Sequence, residues 1–481
     1  MYFMRNDLSM LMDLYELTMS NGILQSDMRD KITYFDMFFR RVPDKGGYAI
    51  MAGLEQLIEY FNNLHFDESD IKYLESLNLF CDEFLSYLRD FNFECDVWAV
   101  PEGTPIFPME PIVTVRGPAI QAFMVETMVL LTINHQSLIA TKANRICSMA
   151  GERPVMEFGA RRAHGYDAAY YGARAAIIGG CLGTSNVMTA KDFGVIASGT
   201  MAHSWVQLYE NEYAAFKTYA ENYPDSCTLL IDTYNVLKSG LPNAIKCFDE
   251  VLKPLGKRPK GVRIDSGDIA YLSKKIRKKL DDAGYPDCAI VVSNSLDEHL
   301  IKELDSQGAK INSFGVGERL ITASSEAVFG GVYKLAAVED KQGNIIPKIK
   351  ISENIAKITL PGVKIPWRLY DNETGKAIAD VICMNYEKID DTKPYEIFDP
   401  VHTWKRKIIT NFTAKKLQIK IIEKGKQVYN SPSVKEISAF RKDSVDHLWD
   451  EVKRFENPHA YYVDLSTDLW NLRQKLLSEK S

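Results

Sequence analysis

The sequence lacks the patterns that mark exported, disulfide-bonded or membrane proteins. Its eight cysteines contain no Cys-x-x-Cys pair, so the sequence indicates neither a zinc knuckle nor a disulfide framework. The first residues show no basic stretch followed by an apolar one, and the longest apolar runs are interrupted by Glu126 and Arg174. We therefore expect a soluble, cytoplasmic protein with reduced thiols and no membrane association.

Excess positive charge, low-complexity tracts and obvious linkers are also absent. The formal net charge of −6 argues against nucleic acid as the main partner, so anionic ligands would need a local basic pocket. Lysine-rich stretches in the C-terminal part lack interleaved aromatic residues and are more typical of solvated strand faces. With 46% apolar residues over 481 positions, the composition predicts two or three globular domains.

The N-terminal part mixes helical and strand patterns. Residues 7–22 carry apolar side chains at helical spacing, and residues 33–40 alternate as a strand does. More amphipathic helices and two further strand patterns follow before a Gly-Pro pair at 117–118. These patterns predict an N-terminal α+β domain over residues 1–120.

From residue 121 to 335 short apolar runs alternate with helices. Their spacing is that of repeated β-α crossovers, so we expect a closed or nearly closed parallel α/β barrel that carries the catalytic residues. The seven predicted strands are 154–158, 195–197, 228–232, 261–265, 289–293, 311–315 and 332–335. Beyond them, residues 336–400 are predicted to return and pack on the N-terminal domain, and residues 401–481 form a β-rich and helical C-terminal extension.

Polar residues cluster where these predicted strands end. In a parallel barrel the carboxyl ends of the strands share one rim, so side chains far apart in sequence come together there. The residues expected to converge are Phe158, Arg161, His203, Asp232, Arg263, Asp265, Gly315 and Gly331. This convergence predicts a ligand site.

His203 follows the apolar run 193–198 and precedes a helical pattern that ends near Tyr223. The pattern predicts His203 in the first turn of one long helix, where free backbone N–H groups and the helix dipole favour an anion. An imidazole in that place is suited to accept a phosphoryl group. A capping or packed core histidine is the alternative reading.

Charged residues flank the predicted strand ends. Arg263 and Asp265 alternate on one strand and so face the same side, as a ligand-binding pair or as a structural ion pair. Arg161 and its neighbour Arg162 would point apart, so that one binds phosphate and the other makes an ion pair. Asp232 is placed to hold ribose hydroxyls or Mg²⁺.

Two glycine bends, Phe314–Gly317 and Phe329–Val332, each follow an apolar strand pattern. Such bends expose backbone amides that suit a phosphate, although turn chemistry alone also explains them. Asp268 precedes a helical pattern and fits an N-cap.

Six motifs, which occur in a fixed order along the chain, make it resemble the nicotinate phosphoribosyltransferase family, whose members are type II phosphoribosyltransferases. The motifs are Phe158–Ala163, Gly183–Asn186, Gly199–Ser204, Val262–Asp268, Phe314–Gly317 and Gly330–Lys334, and Asp13–Met19 and Phe35–Pro43 match N-terminal motifs of the family. The resemblance covers residues 7–370 and implies an irregular parallel α/β barrel. Residues beyond 400 contribute little to it.

The resemblance implies conversion of nicotinate and phosphoribosyl pyrophosphate to nicotinate mononucleotide and pyrophosphate, in NAD salvage. It further implies ATP as co-substrate, Mg²⁺ without a protein-only metal site, transient phosphorylation of His203, and a homodimer with shared active sites. His203, Asp265 and Arg263 are the implied catalytic residues.

The resemblance also assigns binding roles. Phe158 and Tyr15 would sandwich the pyridine ring, with Tyr15 reaching in from the second subunit, although a helix-face core position is the alternative for Tyr15. Arg263 and Thr200 would hold the nicotinate carboxylate. The implied phosphoribosyl pyrophosphate contacts are Arg40, Arg161, Asp232, Asp265, Gly315, Gly317, Glu318, Gly330, Gly331 and Lys334.

Two positions bear on the choice of substrate and on phosphate binding. Nicotinamide-using relatives carry an aspartate where this chain has Ser185, and its absence beside Arg263 favours a carboxylate substrate over an amide. Many relatives have Thr where Glu318 follows the Phe314–Gly317 bend, which leaves phosphate contact there to backbone amides.

Three other functions are compatible with parts of the sequence. A nicotinamide phosphoribosyltransferase and a non-catalytic nucleotide-binding paralogue would share the fold. A sugar-phosphate aldolase or isomerase would need a Schiff-base lysine or a poised glutamate at a strand end, and Lys334 is the only lysine so placed.

Overall fold

The computed structural model describes residues 7–354 and 357–480. These residues form two compact units. The inserted unit comprises Ile139–Ala327, and the split unit comprises the chain up to Leu138 and from Val328 onward.

Sixteen α-helices lie in the described chain. Several begin with side-chain caps, for example the Ser433 and Glu436 capping box of α15. The helices are α1 Leu14–Leu24, α2 Leu54–Asn63, α3 Glu68–Ser76, α4 Asp82–Arg89, α5 Ala119–Met124, α6 Glu126–Ala150, α7 Tyr166–Gly179, α8 Val187–Asp192, α9 His203–Leu208, α10 Glu212–Asn222, α11 Leu241–Cys247, α12 Ile269–Asp282, α13 Glu298–Ser306, α14 Glu318–Ile321, α15 Val434–Asp446 and α16 Thr467–Lys480. No helix in the described ranges is long and apolar enough to cross a membrane.

The strands are numbered in chain order. They are β1 Ile32–Phe38, β2 Ala49–Ile50, β3 Asp96–Ala99, β4 Pro105–Ile106, β5 Val113–Pro118, β6 Val155–Glu157, β7 Gly183–Thr184, β8 Ile196–Ala197, β9 Thr228–Leu230, β10 Gly261–Ile264, β11 Ala289–Val292, β12 Ser313–Val316, β13 Val332–Glu339, β14 Ile345–Pro347, β15 Lys364–Asp371, β16 Ala377–Met384, β17 Tyr395–Phe398, β18 Arg406–Ile409, β19 Phe412–Lys416, β20 Ile419–Glu423, β21 Lys426–Gln427 and β22 Val463–Leu465.

The inserted unit is built on one seven-stranded sheet in the order β8-β7-β6-β12-β11-β10-β9. Every neighbouring pair in it is parallel. Its two end strands, β8 and β9, are not paired with each other in the described chain, so the barrel stays open on that side. The expected irregular parallel α/β barrel is therefore confirmed.

One predicted barrel strand is wrong. Residues 332–335 begin β13, which pairs antiparallel with β1 in the split unit. The seventh barrel strand is β7, which pairs with β6 and β8. β7 has only two residues, Gly183 and Thr184, so no apolar run marks it in the sequence. Gly331 and Lys334 accordingly belong to the split unit and not to the barrel rim.

The single long helix predicted after His203 is also wrong. α9 ends at Leu208, and α10 begins after Asn211, whose side chain accepts a hydrogen bond from the N–H of Ala214. This cap starts a new helix with its own axis. Asp268 caps α12 in the same manner, by accepting from the N–H of Tyr271, as its sequence position predicts.

The split unit contains a seven-stranded sheet in the order β14-β13-β1-β5-β3-β20-β21 and a four-stranded sheet in the order β19-β15-β16-β22. The N-terminal α+β pattern and the β-rich C-terminal extension are both confirmed. α1, α3, α4 and α5 enclose an apolar cluster that includes Leu17, Phe84 and Met124. β15, β16 and β19 contribute to another cluster around Leu369 and Phe412.

A buried ion pair joins distant segments of the split unit. Both Nε and Nη2 of Arg368 donate to the carboxylate of Asp380, at 2.8 and 2.6 Å, and both side chains are shielded from water. Nη2 of Arg368 also donates to the carbonyl of Pro105, and the hydroxyl of Tyr461 donates to Asp380. Burial, with Asp380 nearby, raises the pKa of Glu110 well above its usual range, so this acid is held neutral beside the pair.

We expect Arg368→Met to lower the free energy of unfolding by about 3–5 kcal/mol, because it leaves the buried Asp380 carboxylate without its counter-ion. Urea denaturation followed by tryptophan fluorescence measures the change. Lys442→Met, which removes the exposed Lys442 and Asp446 pair, is the matched control and should leave the midpoint unchanged. Equal shifts in the two variants would contradict this assignment.

Candidate active site

The carboxyl ends of β8, β9, β10 and β11 bring polar side chains to one rim of the inserted unit. Nε2 of His203 lies 3.8 Å from Oδ2 of Asp265 and 4.0 Å from Oδ1 of Asp232. Nδ1 of His203 lies 3.1 Å from Oγ1 of Thr233. The histidine ring is thus surrounded by two carboxylates and a hydroxyl that follow two neighbouring strands, β9 and β10.

The surroundings of His203 exclude both alternatives drawn from its sequence position. The N-cap of α9 is Ala202, so His203 is the first helical residue and not the cap. Its side chain is 39% exposed, which is far from a packed core position. Because α9 has only six residues, its dipole is small, and the carboxylates set the electrostatics of the ring more than the helix does.

Two serine hydroxyls fix these carboxylates. Oδ2 of Asp232 accepts from the hydroxyl of Ser266 at 2.6 Å and from the backbone N–H of Asp265 at 2.9 Å. Oδ1 of Asp265 accepts from the hydroxyl of Ser293 at 2.6 Å. Oδ1 of Asp232 is buried and has no hydrogen-bond partner in the part of the chain that the structure describes.

Sequence reasoning did not single out Ser266, Ser293 or Thr233. All three lie within three residues of the end of a strand, so a hydroxyl just after a strand was the available signal. Without the register of neighbouring strands, nothing distinguishes these serines from those of ordinary turns.

Arg263 points toward the segment that precedes His203. Its Nη1 donates to the hydroxyl of Thr200 and its Nη2 donates to the carbonyl of Met201 at 3.0 Å. Burial lowers the pKa of Arg263 from its ordinary value, while Asp265 and Asp232 act in the opposite direction. Nε of Arg263 is buried without a partner in the described ranges, so one N–H of this guanidinium is left for a ligand.

Phe158 is held against the glycines of the β12 bend. A Cβ added to Gly315 would lie 2.5 Å from Cδ2 of the Phe158 ring, so only glycine permits this ring position. The N–H of Phe158 donates to the carbonyl of Val316 at 2.7 Å. Glu157 accepts from the hydroxyl of Thr184 and from the N–H of Gly159, and burial raises the pKa of Glu157. These bonds fix the start of the Phe158–Ala163 motif.

The neighbouring arginines differ in their surroundings. Nε of Arg162 lies 3.6 Å from Oε2 of Glu318, which is the ion pair expected of one of the two arginines. Arg161 is exposed at the same short turn. Ser185 follows β7, and its N–H donates to the carbonyl of Glu157.

The remaining predicted site residues lie in the split unit. Tyr15 is 44% exposed on α1, beside the exposed Leu11 and Leu14, so it does not pack in the core of this chain. The guanidinium of Arg40 lies 5.9 Å from the centre of the Phe38 ring. Lys334 donates to Glu126 at 3.3 Å, which engages the amine with a carboxylate.

The second glycine bend is fixed by a residue that sequence reasoning missed. The N–H of Gly331 donates to Oδ1 of Asn134 at 3.1 Å, and a Cβ on Gly331 would lie 2.2 Å from that oxygen. Gly330 has a φ of +77°, which side chains other than glycine rarely adopt. The bend is therefore held by α6 and needs both glycines.

The residues present accommodate Mg²⁺ only together with a ligand. Within the described ranges no three His, Cys, Asp or Glu side chains come together as a metal site. Oδ1 of Asp232 accepts no hydrogen bond in the described ranges, and Ser293 donates to Oδ1 of Asp265 and not to Oδ2. Carboxylate oxygen is the donor that Mg²⁺ prefers. These two oxygens fit the ion if substrate and water supply the other ligands.

Next to Tyr15, the buried carboxyl group of Glu16 makes a contribution to stability that depends on pH. Although Tyr15 is 44% exposed, partial burial raises its pKa to about 12, and Glu126 adds to the effect. Burial also raises the pKa of Glu16 to about 7, against the opposing hydrogen bonds from Thr127. Because the native state holds this proton more tightly than the unfolded chain, Glu16 contributes less stability as pH rises from about 4.5 to about 7.

We expect Glu16→Gln to be least favourable at pH 5 and most favourable at pH 8, relative to wild type. The difference in melting temperature, variant minus wild type, should rise across this interval because the glutamine has no charge to desolvate. Thermal unfolding at pH 5, 6, 7 and 8 measures it. Glu75→Gln on the exposed face of α3 is the control, since its carboxyl faces water; a difference for Glu16→Gln that stays constant would refute the expectation.

Comparison with known families matches most of the chain. Residues 10–134 match the nicotinate phosphoribosyltransferase (NAPRTase) N-terminal domain, residues 154–384 match the nicotinate phosphoribosyltransferase (NAPRTase) family, and residues 363–473 match the nicotinate phosphoribosyltransferase C-terminal domain. The chain is 44% identical over 479 residues to the nicotinate phosphoribosyltransferase of Bacillus subtilis (strain 168), covering 99% of this chain and 96% of that protein.

Solved structures agree in fold. The crystal structure of human nicotinic acid phosphoribosyltransferase superposes with a TM-score of 0.83 at 28% identity, over 97% of this chain and 100% of that one. The nicotinate-nucleotide pyrophosphorylase of Pyrococcus furiosus superposes with a TM-score of 0.70 at 24% identity, over 93% and 98% of the two chains, and shows the shared fold.

Proposed function

Because the chain belongs to the nicotinate phosphoribosyltransferase family, we propose that it converts nicotinate and phosphoribosyl pyrophosphate to nicotinate mononucleotide and pyrophosphate. The observation that carries the proposal is the rim that gathers His203, Asp232, Asp265 and Arg263. Carboxylates suit a sugar carbon that becomes positive, and the buried cation suits a carboxylate substrate. In cells this reaction serves NAD salvage in the cytoplasm.

The reaction breaks the bond between C1 of the ribose and the pyrophosphate oxygen, and the pyridine nitrogen forms the new bond to C1. The leaving pyrophosphate takes the electron pair of the broken bond. Asp265 holds ribose hydroxyls, and its negative charge, with that of Asp232, favours the oxocarbenium-like transition state. Fixing the ring and the sugar in line supplies much of the acceleration.

The nicotinate is held at both ends. Phe158 stacks on the pyridine ring, from the position that Gly315 allows. Arg263 donates to the substrate carboxylate through Nε, which has no other partner among the described residues. Thr200, which already bonds Arg263, adds its hydroxyl to the same carboxylate. Ser185 lines this pocket without a charge that would repel the acid.

Phosphoribosyl pyrophosphate is held by basic side chains and backbone amides. Glu318 is turned toward Arg162, so its side chain contributes no donor, and amides of the glycine bends take that part. The proposed contacts are Arg40, Arg161, Asp232, Asp265, Gly315, Gly317, Glu318, Gly330, Gly331 and Lys334. When bound, Mg²⁺ offsets the charge of the pyrophosphate, and Asp232 and Asp265 are the residues that would hold it.

ATP is the co-substrate of this proposal. The terminal phosphoryl group of ATP passes to a ring nitrogen of His203, ADP leaves, and water later releases phosphate from the histidine. The open, half-exposed ring of His203 gives a nucleotide access. Thr233 and the two carboxylates orient the ring for this transfer.

A second copy of the chain completes the site. Tyr15 projects from an exposed apolar stretch that includes Leu8, Leu11 and Leu14, and such a stretch is typical of a surface covered by a partner. We propose a homodimer in which Tyr15 of one copy stacks on the nicotinate bound by the other.

We expect His203→Ala to abolish ATP hydrolysis and to reduce product formation to the rate that wild type shows without ATP. The reason is that no other group receives the phosphoryl. Product and ADP are measured together by chromatography, with His402→Ala in an exposed hairpin as control. ATP hydrolysis in step with product in the His203→Ala enzyme would reject the coupling, and ligand binding without any turnover would instead favour a non-catalytic nucleotide-binding protein.

We expect Arg263→Gln to reduce the preference for nicotinate over nicotinamide by at least about tenfold, because it removes the charge that pairs with the acid. The ratio of the two kcat/KM values is the measurement, since loss of the bonds to Thr200 and Met201 affects both substrates alike. Arg162→Gln is the control and should keep the ratio. A wild-type ratio that favours nicotinamide would support the nicotinamide phosphoribosyltransferase alternative.

A further inference from the structure

We propose that Glu157 is a positioning residue of the nicotinate site, whose one carboxylate holds both the turn that carries Phe158 and the segment that carries Ser185. The structural part of this proposal stands on contacts within the inserted unit. Its consequence for the substrate rests on the proposed function, in which Phe158 and Ser185 line the nicotinate site.

Glu157 is the last residue of β6, the strand that lies between β12 and β7. Its register partner on β7 is Thr184, and such partners on neighbouring parallel strands present their side chains on the same face. Oε2 of Glu157 accepts from the hydroxyl of Thr184 at 2.6 Å. Oε1 accepts from the backbone N–H of Gly159. The two oxygens of one carboxylate therefore bind two separate segments of the chain.

The first segment is the turn that follows β6. Its N–H groups are taken in succession, because the N–H of Phe158 donates to the carbonyl of Val316 at 2.7 Å and that of Gly159 donates to the carboxylate. A Cβ on Gly159 would lie 2.6 Å from Cβ of Ile321 and 2.8 Å from Oε1 of Glu157, so the turn needs glycine to approach the carboxylate this closely. The position of the Phe158 ring thus depends on this bond.

The second segment is the chain that follows β7. The N–H of Ser185 donates to the backbone carbonyl of Glu157 at 2.9 Å. The hydroxyl of Thr184, which donates to the Glu157 carboxylate, accepts from the N–H of Asn186 at 2.9 Å. Ser185 is therefore held directly and through both of its neighbours, and all of these bonds lead to Glu157.

Stability alone does not account for an acid at position 157. The side chain is fully buried, and no basic side chain pairs with it in the described ranges. Burial raises the pKa of Glu157, and the hydrogen bonds from Thr184 and Gly159 are the interactions that lower it. A buried acid without a counter-ion costs free energy. An acid does, however, present two acceptor oxygens, which match the two donors from separate segments.

The functional part is tested by steady-state kinetics at saturating phosphoribosyl pyrophosphate. Thr184→Val, which keeps the size of the side chain and removes the hydroxyl, should raise the KM for nicotinate about tenfold, as expected for loss of a buried hydrogen bond to a charged group. Glu157→Gln leaves one acceptor oxygen for two donors and should raise this KM at least as much. Thr184→Ser keeps the hydroxyl and should restore most of the affinity.

A general loss of structure would give a different result, because a smaller folded fraction lowers the apparent kcat and leaves KM unchanged. Glu212→Gln is the matched control for this effect. Its carboxylate is also buried in the inserted unit and accepts from the hydroxyl of Ser239 and the side-chain amide of Asn243. The control should lower the melting temperature and leave the KM for nicotinate at the wild-type value.

The structural part is tested by hydrogen–deuterium exchange with mass spectrometry of the full chain, which needs no substrate. Thr184→Val should speed amide exchange in peptides that cover Phe158–Ala163, a segment that this substitution leaves intact, because the carboxylate loses one of its two donors. Glu157→Gln should speed exchange there and in peptides that cover Ser185 and Asn186. Glu212→Gln should speed exchange in neither segment.

Two results would overturn the proposal: a wild-type KM for nicotinate in both Thr184→Val and Glu157→Gln, or unchanged exchange of Phe158–Ala163 in Thr184→Val. If Glu157→Gln does not fold, Thr184→Val decides alone. If the wild-type protein does not turn over nicotinate, the proposed function fails, and the exchange measurement still decides whether Glu157 holds the two segments.

Discussion

The hydrogen bond from the backbone N–H of Asp265 to Oδ2 of Asp232 joins the tips of two neighbouring parallel strands, β9 and β10. The rest of the rim depends on it, because it fixes the carboxylate that faces His203 and places the next carboxylate beside it. Ser266 and Ser293 extend the same connection to β10 and β11. These short hydrogen bonds thus hold the carboxylates of Asp232 and Asp265 in fixed positions beside the imidazole of His203.

The rim is formed by two parts of the chain, the strand ends and the segment that leads into α9. The carboxylates of Asp232 and Asp265 lie at strand ends, whereas His203 begins α9. Arg263 donates two hydrogen bonds to the segment between β8 and α9, which directly precedes His203. Arg263 therefore has two tasks in the proposed reaction, since it holds this segment and offers Nε to a carboxylate. A ligand that binds the guanidinium of Arg263 therefore also affects the segment that precedes His203. In this way substrate binding is physically connected to the proposed phosphoryl acceptor.

Much of the barrel and of its rim was predictable from sequence. Apolar runs such as 261–265 and 289–293 became strands, and the alternation of Arg263 and Asp265 placed both near the mouth. The failures have physical causes. β7 has only Gly183 and Thr184, so its pairing comes from β6 and β8 and not from local propensity. Residues 332–335 have the apolar pattern of a barrel strand, yet antiparallel pairing with β1 assigns them to another sheet, because pattern alone does not encode a partner.

By itself the sequence determined the family, through ordered motifs that 44% identity to a relative confirms. It also predicted that a histidine, arginines, aspartates and glycine bends would lie at strand ends. Only the tertiary structure decided which oxygen of each aspartate is occupied, that Ser266, Ser293 and Thr233 complete the rim, and that Asn134 holds the Gly331 bend. The reason is that a hydrogen bond between residues 28 or 197 positions apart depends on register and orientation, which the order of residues does not state.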